Sequence, residues 1–188
     1  MKFLNQATVI LNLLEKFLIC LKFCQKVMES SHVSLPMLAT EVVHRFSPVI
    51  STKNVELTNN NSTAIRSRNS SSAVVLSTMP LQEDDVFEIR LEEVQRQWAG
   101  ALRFGVTTQA PSPPQNQERL APLKDLSSLS GDVFWLDGCS VYHNGNVIKM
   151  NYSVTSLERL VAGDKLAVKR QSADGSLRFF INDEDCGK

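Results

Sequence analysis

The stretch GDVFWLDGCSVYHNGNVIKM, residues 131–150, decides the fold. Asn144-Gly145 stands between CSVYH and NVIKM, and both turn residues tolerate the positive φ that a two-residue type I′ hairpin turn requires. Asp137-Gly138 marks a second reversal between VFWL and CSVYH. Strands joined by such short reversals are antiparallel, because a parallel connection needs a much longer crossover. Further along, Ser156 caps one helical turn, SLERLVAG, which Gly163 ends. KLAVKR and SLRFFIN then form a last hairpin around Asp174-Gly175.

Toward the N-terminus the same pattern continues. In VFEIRL, Phe87, Ile89 and Leu91 face one way while Glu88 and Arg90 face the other. WAGALRFGVTT repeats this, with Leu102, Phe104 and Val106 inward and Arg103 outward. One apolar and one wet face is the mark of an antiparallel sheet. EEVQRQ, between these two segments, reads as a polar loop. VVHRFSPVI, KNVEL, TAIRSR and NSSSAVVLST add shorter strands, with Pro48 at an edge or bend and TNNNST as a turn. The body thus holds about ten short strands and almost no helix, which favours a β-sandwich.

Residues 1–37 read differently. Leu4, Leu11, Leu14, Leu18 and Leu21 recur at helical spacing, which predicts an amphipathic helix over 1–29 followed by a linker. Asn12, Glu15 and Lys16 interrupt the apolar run, so stable membrane insertion is not expected. The helix is expected to pack on this domain, on another chain or on a membrane surface. Residues 38–188 form the β domain.

Lys plus Arg equals Asp plus Glu, 20 against 20, and no basic stripe stands out, so nucleic acid is not an expected partner. Cys20, Cys24, Cys139 and Cys186 match no zinc-ribbon spacing, and reduced cytoplasmic thiols are the expectation. Asn60, Asn61, Asn69 and Asn151 head glycosylation sequons that matter only in a secreted chain. No glycine-rich phosphate loop or nucleophile elbow occurs, so no catalytic residue, metal ligand or cofactor is assigned. Glu83-Asp84-Asp85 and Asp183-Glu184-Asp185 read as solvated acidic runs, His143 as an exposed turn residue, and Trp98 and Trp135 as core residues.

Candidate partner-binding residues fall in two groups. The proline-rich segment 107–124 is a long surface loop, in which Ser112, Gln115, Asn116, Gln117 and Arg119 are candidate contacts. Loops around Asn60 and Asn69 are expected to share its end of the sandwich. Tyr142 and Phe180 are the second group. Phe180 breaks the alternation of Leu177, Phe179 and Ile181, so it belongs either to a second buried layer or to an exposed anchor.

These segments together resemble the Neuralized homology repeat. FEIRLEEVQRQWAGALRFGVTT is similar to the family's strand–loop–strand with Trp98, Gly100 and Gly105 to Thr107. LKDLSSLSGDVFWLDGCSVYHNGNVI is similar to its Trp strand and Asn-Gly hairpin, and LERLVAGDKLAVKRQSADGSLRFFINDEDCG to its closing segment, although Asp183 replaces a glycine. The resemblance runs from about His44 to Gly187. It implies an all-β antiparallel sandwich of SPRY-like fold, used as a non-enzymatic protein-recognition module by adaptors and scaffolds of the ubiquitin pathway. The implied partner is a protein, a ubiquitin-ligase component or substrate. A lectin-like carbohydrate-binding sandwich is the alternative. The resemblance also implies one more strand after Cys186-Gly187, so the repeat is expected to be incomplete at its C-terminus.

Overall fold

Alternation along the chain becomes two layers. The computed structural model describes residues 8–13, 19–23, 44–51, 54–66, 73–94, 102–108, 126, 129 and 131–187. Its strands are β1 (Thr8–Leu13), β2 (Ile19–Phe23), β3 (Phe46–Ser51), β4 (Val55–Thr58), β5 (Thr63–Arg66), β6 (Ala73–Ser77) and β7 (Val86–Val94). They continue with β8 (Leu102–Thr107), β9 (Val133–Asp137), β10 (Ser140–His143), β11 (Asn146–Lys149), β12 (Lys165–Arg170), β13 (Leu177–Ile181) and β14 (Glu184–Asp185). A single 3-10 turn, Leu157–Arg159, separates β11 from β12, and the Ser156 hydroxyl accepts from the Glu158 N–H as its cap. The expected helical turn at SLERLVAG is therefore present in its tighter form.

One sheet has the order β11-β10-β9-β8-β1-β6-β3 and the other β14-β13-β12-β7-β2-β5-β4. Strand pairs within each are antiparallel. The inward positions expected from sequence meet between the sheets. Phe104, Val106 and Leu136 of the first join Phe87, Ile89, Leu91, Leu166, Val168 and Phe179 of the second in one buried cluster. Phe104 bridges the layers, its ring centroid 6.5 Å from Phe87 and 6.1 Å from Phe179. Burying one such side chain contributes about 1.5–3 kcal/mol, so this cluster is the main source of cohesion.

The turn chemistry is as the sequence reads. Asn144 and Gly145 have φ of 48° and 86°, the pair of positive values a type I′ turn needs. Gly138 supplies the positive φ at the preceding reversal and Gly175 at the last hairpin. Three consecutive asparagines, Asn59, Asn60 and Asn61, are also left-handed, at 51°, 56° and 62°, and close the β4–β5 hairpin. Asparagine is enriched there because its short polar side chain tolerates that backbone state.

Two expectations need correction. The helix expected over residues 1–29 is replaced, where those residues are described, by β1 and β2. β1 pairs with both β6 and β8, and β2 with both β5 and β7, so each is an interior strand of its sheet. The leucine spacing fits a helix, but Thr8-Val9-Ile10 is β-branched and Ile19, Leu21 and Phe23 alternate with Cys20 and Lys22. Neighbouring strands with open hydrogen-bonding groups decide between two such readings. The remainder of 1–29 lies outside the described residues. The second correction is EEVQRQ: Glu92, Glu93 and Val94 extend β7 rather than looping out, because β2 pairs with Glu93 and Val94, with a register shift at Glu92.

Candidate protein-binding surface

Strand register places several loops at one end of the sandwich. Thr108 and Asp132, where the chain leaves β8 and enters β9, exchange two hydrogen bonds: the Thr108 N–H donates to the Asp132 carbonyl and the Asp132 N–H to the Thr108 hydroxyl, both at 2.9 Å. The Asn144 turn is tied to the same point. Its N–H donates to the Val133 carbonyl at 2.9 Å, and its Oδ1 accepts from the Val133 N–H at 2.8 Å. His143 Nε2 lies 2.7 Å from Asp132 Oδ1, and its ring is stacked 4.2 Å from that of Phe134. His143, read from sequence as an exposed turn residue, is half-buried beside the turn and braces it. The asparagine turn reaches this end too, since the Phe46 N–H donates to the Asn61 carbonyl and Phe46 sits opposite Ser77 at the same end of the first sheet.

Tyr142 and Phe180 are not brought together. Tyr142 pairs with Trp135 across β9–β10, on the outer face of the first sheet. The two rings stack in parallel with centroids 5.6 Å apart. Beneath them Gly105 stands opposite Trp135, and a Cβ there would strike the Phe134 carbonyl oxygen and come within 2.7 Å of Trp135 Cα. Glycine at 105 therefore lets β8 and β9 lie close enough for the indole to cover the sheet. Arg103, next along β8, holds Asp137 at 2.8 Å and places its guanidinium 5.9 Å from the centre of the Trp135 ring. Val74, Leu76, Leu126, Leu129 and Val133 complete this second apolar cluster, so Trp135 is a core residue, but of a core outside the sandwich.

One atom in that cluster is out of balance. Trp135 is only 3% exposed, yet its indole N–H has no hydrogen-bond acceptor among the described residues. A buried unpaired donor costs about 1–3 kcal/mol.

Phe180 lies half-buried on the outer face of the other sheet, opposite Ala167 on one side and Asp185 on the other. Glu88 shares that face and is buried, with Lys165 Nζ 3.4 Å from its carboxylate. Of the two readings open from sequence, Phe180 is closer to a second buried layer. Ser112, Gln115, Asn116, Gln117 and Arg119, as well as Asn69 and Trp98, lie outside the described residues.

The acidic runs are not merely solvated. Glu83 pairs with Arg170 at 2.9 Å, Asp84 with Lys169 at 3.3 Å and Asp85 with His44 at 2.8 Å. Asp183 and Asp185 reach Lys165 and Arg178, each at 3.6 Å. These contacts leave marks on acidity. The Ser172 hydroxyl and N–H, with Lys169, hold the Asp84 carboxyl below its usual range. The His44 side chain does the same for Asp85 and outweighs the effect of burial, although the 2.8 Å contact has poor hydrogen-bond angles. Burial pushes up both the Tyr152 hydroxyl and the Cys186 thiol, which pack into the main core beside Phe179. An apolar site of that kind makes a thiol inert.

Two outer faces, one aromatic and one charge-paired, flank the antiparallel sandwich. The sequence model of the Neuralized family matches residues 46–188, well over half the chain, and the chain belongs to that family. Neuralized domains are protein-interaction domains. β1 and β2 lie before the matched span yet run through the middle of both sheets. No helix among the described residues is long and apolar enough to cross a membrane.

Proposed function

We propose that the chain is a non-enzymatic recognition module acting as an adaptor or scaffold in the ubiquitin pathway, in the cytoplasm, where it presents a substrate to a ligase. Membership of a protein-interaction family is the observation that carries this reading. Support from the surface comes from Tyr142 and Arg103, both half-buried over the covered Trp135, because aromatic and arginine side chains dominate binding energy at protein interfaces. The wording of Cys139 and Asp185-Cys186-Gly187 resembles repeats of the multi-repeat scaffold Neuralized-like protein four. Residues 38–188 are the proposed recognition domain, and the 112–119 segment its proposed contact loop.

Capture of ubiquitin-ligase components and their substrates tests this. Alanine replacements at Ser112, Gln115, Asn116, Gln117 and Arg119 are expected to weaken capture with the melting temperature unchanged, and Tyr142→Ala to weaken it at some cost in stability because its ring stacks on Trp135. Undiminished capture by these variants contradicts the surface assignment. Retention on a glycan array with no protein captured contradicts the protein-binding reading itself.

A further inference from the structure

We propose that the open edge of β11 binds an extended acidic peptide by strand addition, which deepens the protein-binding reading and rests on it. A sheet edge exposes unpaired N–H and C=O groups that template another strand, and proteins blunt such edges with proline, charge or bulges. Among the described residues the two sheets end in four edge strands, and three of them carry proline or acid. β3 carries Pro48, β4 carries the exposed Glu56, and β14 follows Asp183 and contains Glu184 and Asp185. β11 contains neither; the charge it carries is a lysine, Lys149, and it has one bulge, at Ile148.

Exposed apolar surface gathers at the same place. Of six exposed large apolar side chains among the described residues, Val147 and Ile148 lie on β11, Met150 directly after it and Val154 in the segment that follows. Met150 is 73% exposed and Val154 fully so. Isolated exposed apolar residues are ordinary, but Val147, Ile148 and Met150 together on or beside one open edge mark an interaction site.

Register gives the partner its chemistry. Val147 stands opposite Tyr142 and so extends the aromatic outer face, whereas Lys149 stands opposite Val141 on the other face. The pairing shifts between these two positions, leaving Ile148 as a bulged extra residue. Lys149 Nζ lies 5.0 Å from the centre of the Tyr152 ring, and among the described residues no carboxylate pairs with it. A strand laid on β11 thus needs an apolar residue against Val147 and Tyr142 and an acidic one against Lys149. Main-chain hydrogen bonds supply affinity in this mode and alternate side chains supply specificity. A second copy fits less well. Pairing β11 with itself about its centre sets Lys149 against Asn146 and leaves both lysines without a carboxylate, and the bulge suits a short peptide better than another bulged edge.

A phage-displayed library of random peptides, selected on the full chain, tests the proposal. Enriched peptides are expected to alternate apolar and acidic residues and to slow hydrogen exchange at the amides of 146–149. Lys149→Glu should weaken them about tenfold, and peptides with lysine in place of the acid should recover binding. Ile148→Lys, at an exposed position, serves as a second variant with the fold intact. Absence of enriched peptides, or enriched peptides indifferent to both variants, overturns strand addition. Self-association of the chain that Ile148→Lys abolishes also overturns it, by giving the edge to a second copy. Folded partners captured through Tyr142 but untouched by the edge variants overturn the edge assignment while leaving the protein-binding reading standing.

Discussion

Residues 131–187 and residues 8–23 build their strands by opposite routes. In the first region β9, β10 and β11 pair in chain order, as do β12, β13 and β14, each reversal set by turn residues such as Asn144-Gly145. In the second, β1 lies between β6 and β8 and β2 between β5 and β7, partners that arrive far later in the sequence. Local turn chemistry specifies the first region almost alone. The second acquires its structure from edges that other strands offer, and pays the loop-closure entropy of distant contacts. The family match shows the same division, covering 46–188 and leaving out two interior strands.

Deleting residues 1–23 probes that contrast most harshly. It removes an interior strand from each sheet and leaves β5, β6, β7 and β8 with edges in the middle of the sandwich. The expected result is loss of a cooperative thermal transition, since four strand pairings are lost from a domain that is stable by only roughly 5–15 kcal/mol. A sharp transition in the shortened chain, followed by circular dichroism, contradicts this.

Gly105→Ala strikes where the two regions meet, at the β8–β9 pairing beside β1. The added Cβ meets backbone of Phe134 and Trp135 rather than a movable side-chain tip. A loss of about 3 kcal/mol or more is expected in denaturant unfolding. Alanine at the exposed Asn146 should cost under about 0.5 kcal/mol.

Acid sharpens the comparison on the side of the matched segment. Asp85 has its folded acidity lowered by His44, so its contribution is present above the unfolded carboxylate range, near 4, and is lost as pH falls through the lower folded value. Asp84 behaves alike. Asp85→Asn should cost about 1 kcal/mol at neutral pH and flatten the acid limb of the stability curve. An unchanged limb removes the His44–Asp85 contact from the explanation.

Trp135→Phe has the smallest expected effect and an unusual sign. It keeps most of the ring that Tyr142 stacks on and removes the buried, unpaired indole N–H. Stability should be unchanged or rise by about 1 kcal/mol. A loss of several kcal/mol means that the N–H has an acceptor.

Much of this was legible in the sequence. Phe87, Ile89, Leu91, Leu102, Phe104 and Val106 point inward as alternation requires, and the Asn-Gly and Asp-Gly turns lie where they were read. β1 and β2 were not legible, because leucines at three, four and seven satisfy a helix and short apolar runs satisfy a strand equally well. Among the candidate contacts, Phe180 stands out in the sequence as an aromatic off the core pattern, and alternation alone puts both it and Tyr142 on outer faces. That these faces belong to different sheets follows only from pairing, which sequence spacing does not encode. The Trp135 stack was missed for a related reason: its partner Tyr142 and its support Gly105 lie on separate strands. The signal available was Gly105 itself, a glycine inside a strand, which marks close backbone approach.

Native-state hydrogen exchange, resolved by residue, tests most directly whether the N-terminal strands complete both sheets. Amides of 8–13 and 19–23 that donate to neighbouring strands are expected to exchange as slowly as those of β6, β7 and β8, opening only with global unfolding. Exchange of these amides at the rate of an unstructured chain, with 46–187 still protected, would contradict it.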